Sequence, residues 1–140
     1  MQEKMKQIYH KYKEIIKYII FGGFTTIINI ITYLILTKII KLDLLISNVL
    51  AWFISVLFAY ITNRIFVFNS QNKKVKSILI EISTFYVARI ASLVCCDILL
   101  FNIMIKVLHI NDITTKLILQ IIVIIMNYIL SKFIIFKKDN

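Results

Sequence analysis

The sequence predicts an all-α membrane protein of four transmembrane helices, built as two tandem helical hairpins and preceded by an N-terminal interfacial amphipathic helix. Three observations carry that expectation. Of the 140 residues 60% are hydrophobic, with a mean hydropathy of +0.86, whereas a soluble domain is about half apolar and about a quarter charged. Two glycines and no proline favour long unbroken helices over a barrel, whose frequent turns and two-residue alternation are both missing. Finally, the chain nearly repeats itself: AYITNRIFVF, ending at Phe68, returns as NYILSKFIIF, ending at Phe136.

A spanning helix needs about 20 mostly apolar residues. Four segments qualify, at about 15–37, 44–68, 80–108 and 113–136, with a polar break at 69–77. The links within each pair are short, so each pair is expected to be a tight antiparallel hairpin. Repeat one then covers 15–70 and repeat two 78–138 of a single transmembrane domain. At one constant shift Tyr18 falls on Tyr86, Asn29 on Asp97, Tyr60 on Tyr128, Asn63 on Ser131 and Arg64 on Lys132. Two helices per repeat place the pseudo-two-fold axis along the membrane normal.

Residues 1–14 put Met5, Ile8, Tyr9 and Tyr12 at helical spacing among lysines, the pattern of a helix lying on anionic lipid. Their apolar run continues too far, with no small-residue cleavage site, for a signal peptide. Lys and Arg stay preferentially on the cytoplasmic side. Lys4, Lys6, Lys11, Lys13 and Lys17, then Arg64, Lys73, Lys74 and Lys76, then Lys132, Lys137 and Lys138 fall on one side, against Lys38, Lys41, Lys106 and Lys116 on the other. Both termini are therefore expected in the cytoplasm, in a multi-pass protein of the cell membrane.

The net charge of +10 does not indicate nucleic acid, because the basic residues cluster at the ends of apolar runs instead of on a polar surface. Cys95 and Cys96 are adjacent in an apolar run, which suits packing better than a disulfide or metal site. No catalytic set, metal cluster or nucleotide motif stands out, so the reading is a non-enzyme without cofactor.

Between helices in lipid, small and hydrogen-bonding residues mark the faces that meet. The expected seams are Gly22, Thr26, Asn29 and Tyr33 on the first helix and Asn48, Ala51, Ser55, Ala59 and Thr62 on the second. On the third they are Tyr86, Arg89, Ser92, Cys96 and Asp97, and on the fourth Gln120, Asn127 and Ser131. Arg89 and Asp97 carry charge deep in the bilayer, where an ionised side chain needs a partner, water or a function. Eight residues apart, about 12 Å and roughly 80° of rotation separate them, so each needs something other than its neighbour. An anionic ligand such as a phosphate suits Arg89, though a snorkelling arginine remains open. Arg64, preceded by Asn63, is either an interfacial anchor or the receiver of a lipid phosphate from the inner leaflet.

These residues resemble the GtrA family of small four-helix membrane proteins, also described as the GtrA/dolichol-phosphate-mannose-synthase-like transmembrane domain. The likeness covers about Lys17 to Lys138 and is most specific over SNVLAWFISVLFAYITNRIFVFNS, where Phe66 stands in place of the family's usual tryptophan. The resemblance implies flipping of a polyprenyl-phosphate-linked monosaccharide to the outer leaflet, for glycosylation of a surface polysaccharide or teichoic acid by a membrane glycosyltransferase. Arg64, Arg89 and Asn63 would then bind the phosphate headgroup, while Asp97, Asn29, Asn48, Asn127 and Ser55 contact the sugar or gate its path. An accessory subunit that anchors a glycosyltransferase is the alternative, and a homodimer is permitted by either. A small multidrug exporter fits less well, since the first helix offers no acidic residue beyond Glu14 at its edge.

Overall fold

The computed structural model describes residues 1–71 and 73–137; Lys138, counted above with the basic tail, lies outside them. Four helices are long and apolar enough to cross a membrane: α1 (Gln2–Ile39), α2 (Leu44–Val67), α3 (Val75–Lys106) and α4 (Asp112–Ile135). Among the described residues there is no strand. Contacts divide the chain into two compact units, the first ending at Gln71 in the polar stretch between α2 and α3.

In the first unit, early residues of α1 meet late residues of α2. The Lys17 ammonium donates to the Phe66 carbonyl at 3.0 Å, the Tyr18 and Phe68 rings lie 6.5 Å apart, and Phe21 stacks on Phe66 at 5.2 Å. Farther along, the Asn29 amide donates to Ser55 Oγ at 3.2 Å. In the second unit Phe85 of α3 packs against Phe136, just past α4, at 6.1 Å. Residues 2–14, expected as a separate segment, continue into the first span without a break.

The turns are closed in the same way in both units. The amide of Leu42 donates to the Leu36 carbonyl at 2.9 Å and that of Ile110 to Met104 at 3.0 Å, around the left-handed Lys41 (φ 62°) and His109 (φ 52°). Such closures satisfy carbonyls left open at a helix end and usually use glycine; here larger residues accept that conformation. Asp43 and Asn111 then cap α2 and α4 by accepting from the Leu45 and Ile113 amides, at 3.0 and 2.9 Å.

Several seams differ from expectation. On α1, Gly22 and Thr26 are exposed, and a methyl group at Gly22 would meet nothing within 4 Å. The face toward α2 runs instead through Tyr18, Phe21, Thr25 and Asn29. Alpha-2 supplies the small side chains for it: Ala51, Ser55, Ala59 and Thr62 are buried, joined by Ser47, while Asn48 is exposed. Ser47 lies one and two turns before Ala51 and Ser55 on one stripe, and Asn48 sits about 100° off it. On α4 Thr115, Leu119, Asn127 and Ser131 are buried and Gln120 is exposed.

No proline interrupts the helices, yet each contains a stretch whose backbone bonds run i→i+5, the wider π geometry. Three lie at helix ends: Ile35–Ile39, Asn63–Val67 and Ser131–Ile135. The fourth, Leu93–Leu100, falls inside α3.

Candidate functional site: buried amides and flanking cations

Asn63 opens the last turn of α2. Its side chain is 3% exposed and its amide oxygen has no hydrogen-bond partner, an expensive state for a buried acceptor. The half-buried Arg64 follows it. Close by, Lys17 reaches the Phe66 carbonyl, one of the groups a helix end leaves open and where a cation is favoured by the helix dipole.

Asn29 and Ser55 are brought together. The Ser55 hydroxyl spends its one proton on the Trp52 carbonyl at 2.9 Å, so it accepts from Asn29. Asn48 is not part of this pair, because it lies on the exposed side of α2.

In the second unit the half-buried Arg89 guanidinium lies 4.6 Å from the Phe85 ring centre. That ring, one turn earlier, offers the guanidinium a cation–π contact within its own helix, in addition to the anionic ligand or snorkelling expected for it. Asp97, expected on the same seam as Arg89, Ser92 and Cys96, is instead exposed, turned by one residue's rotation from the buried Cys96. Asn127 is 6% exposed with an unpartnered amide oxygen. Lys132 donates to the Tyr128 hydroxyl at 3.2 Å.

Three features escaped the sequence reading. Glu81 is only 9% exposed, and the hydroxyls of Ser47 and Thr115, at matching places in α2 and α4, are buried without a partner. A comparison of the repeats at more than one shift pairs Glu81 with Glu14 and would have drawn attention to it. Among the described residues no group of three or more His, Cys, Asp or Glu side chains is placed to hold a metal ion. A shallow groove on α4, lined by Ile122, Ile125, Met126, Ile129 and Leu130, is wholly apolar and offers nothing to a headgroup.

The sequence profile of the GtrA/DPMS transmembrane domain matches residues 17–136, nearly the whole chain. The chain belongs to the GtrA/DPMS transmembrane family. It is similar to the cell wall teichoic acid glycosylation protein GtcA of Listeria monocytogenes, with 42% identity over 88% of this chain and 84% of the relative. The GtcA protein of Listeria innocua matches equally well, and the membrane protein YwcD of Bacillus subtilis is 38% identical over 88% of this chain and 96% of its own. No solved structure matches. As a member of the GtrA/DPMS family the chain is a multi-pass, non-catalytic membrane protein.

Proposed function

We propose that this protein flips a polyprenyl-phosphate-linked monosaccharide from the cytoplasmic to the outer leaflet, for glycosylation of teichoic acid or another surface polysaccharide. The observation that carries the reading is Asn63, an enclosed amide oxygen without a partner, next to Arg64. An amide oxygen accepts from a sugar hydroxyl and a guanidinium donates to phosphate, so the two suit the two parts of a glycosyl phosphate. The name of the Listeria relatives supports the same direction.

In this reading Arg64 in the first unit and Arg89 in the second hold the phosphate, while Asn63 binds the same headgroup by accepting from a sugar hydroxyl. Asn29, Ser55, Asn48, Asn127 and Asp97 contact the sugar or gate its passage. The two repeats are tandem hairpins about an axis along the membrane normal, with both termini in the cytoplasm. The N-terminal segment rests on anionic lipid of the inner leaflet. A homodimer and a partner glycosyltransferase belong to the same proposal.

The test is a vesicle assay with purified protein and a short-chain polyprenyl-phosphate hexose, scored by an impermeant reagent on each leaflet. Crossing that Arg89→Ala abolishes, in protein that still inserts correctly, supports a flippase. Full transport by Arg89→Ala and Asp97→Asn sinks this assignment of residues. No crossing above protein-free vesicles favours the second reading, a subunit that anchors a glycosyltransferase. That alternative draws on Asn48 and Asp97, both exposed polar groups on apolar helices, as glue for partner helices.

A further inference from the structure

Buried positions on α3 follow those on α1 with a shift that changes part-way along the helix. Toward the N-terminal end, Tyr18, Thr25 and Asn29 correspond to Phe85, Ser92 and Cys96, all buried or half-buried. The ring pairs agree: Tyr18 meets Phe68, and Phe85 meets Phe136. Toward the other end, the half-buried Tyr33, Leu36 and Thr37 correspond to Phe101, Met104 and Ile105, and the closures at Lys41 and His109 match in the same register. Between Cys96 and Phe101, α3 therefore holds one residue more than α1.

That interval lies at the end of the π stretch Leu93–Leu100, where the Phe101 amide donates to the Cys96 carbonyl. A π-bulge is how a helix absorbs one additional residue, and such bulges gather at functional sites. Without one, the insertion would turn everything beyond it by about 100°. Asp97 immediately follows the last residue in the first register. It is exposed, whereas its neighbour Cys96 is 1% exposed.

We propose that Asp97 is the inserted residue of a movable π-bulge in α3, and that sliding the bulge toward Leu93 exchanges Cys96 for Asp97 on the face packed against α4. The bulge already extends over eight residues, with no proline or glycine among them to pin it. Moving it leaves both ends of α3 in place, since the total insertion is unchanged. In the moved register Asp97 takes the position that Asn29 holds in α1. By the match of Val123 to Ser55, the partner of Asn29, it then stands level with Val123 and one turn from Asn127, whose side-chain amide can donate an N–H to a carboxylate. The exchange is thus between a thiol that packs and a carboxyl that can hydrogen-bond. It does not depend on the cargo, so it stands or falls apart from the transport proposal.

Two experiments on the full-length protein in membranes test it. The first compares deletions. Removing Asp97 is expected to leave membrane accumulation within about twofold of the parent, because the insertion alone is lost and both packed faces of α3 keep their register. Removing Val87, an exposed residue upstream, is expected to abolish accumulation. Equal loss for both deletions would overturn the insertion. The second measures the movement by oxidative cross-linking in a Cys95→Ser background. Native Cys96 is paired with Val123→Cys, and in a separate protein Cys96→Ala and Asp97→Cys are combined with Val123→Cys. The Cys96 pair is expected to cross-link rapidly and the Asp97→Cys pair more slowly, at about a tenth of that rate or less, as for a minor conformer. If the Asp97→Cys pair gives no product above single-cysteine proteins while the Cys96 pair goes to completion, the bulge does not move and the proposal fails.

Discussion

Replacing Asn29 with alanine removes the donor of its 3.2 Å hydrogen bond to Ser55, and the expected cost follows from what each partner loses. Ser55 is buried and its proton is already committed to the Trp52 carbonyl, so after Asn29→Ala its remaining loss is one acceptor contact. Ser55→Ala does more, because it strips the Asn29 amide of its acceptor inside the helix pair. The single effects therefore differ, and only their coupling isolates the bond. Interhelical hydrogen bonds in membranes average about 0.6 kcal/mol and reach about 1.7, so the expected coupling is about threefold in the unfolding constant. Reversible unfolding of the parent, both single variants and the double variant in mixed micelles measures it. A coupling of zero would refute the claim that the α1–α2 seam is hydrogen-bonded at this level.

Two further changes test the packing. Thr115→Val keeps the shape but removes a buried hydroxyl without a partner. It should stabilise the protein, by up to about 1–3 kcal/mol if the full desolvation penalty of an unpaired group is recovered, and a lower unfolding midpoint in the same assay would contradict this. Gly22→Ala adds a methyl group that touches nothing within 4 Å and should stabilise α1 by about 0.5–1 kcal/mol through helix propensity. A destabilised variant would show that Gly22 packs against something.

The spans were legible because apolar length decides them, and their termini follow from capping residues such as Asp43 and Asn111. The α2 seam could also be read, since Ala51, Ser55 and Ala59 recur at four-residue spacing and small side chains let another helix approach. On α1 the same rule misled. When one helix supplies the small residues, its neighbour can fill the space with rings, and Tyr18 and Phe21 do so while Gly22 faces outward. Asn48 drew notice as an amide, although Ser47 holds the register. The pairing of Asn29 with Asp97 rested on a constant shift between repeats. A one-residue insertion inside α3 breaks that shift without leaving a gap that letters can show. The buried Glu81 lay hidden for the same reason, matching Glu14 only in the other register.

The length of α1 has a mechanical consequence. Its 38 residues make a rod of about 57 Å against a hydrocarbon layer of about 30 Å, so a third or more of it must lean or project. The exposed Met5, Ile8, Tyr9 and Tyr12 share an edge with Ile16 and Ile19, on the side of the rod turned from the Tyr18 and Asn29 contacts. If the projecting part folds outward at the water boundary, that edge turns downward onto the lipid with no twist of the chain. Folding inward would raise it into water instead. The direction in which this arm can settle is thus set by the same angular pattern that fixes how α1 meets α2.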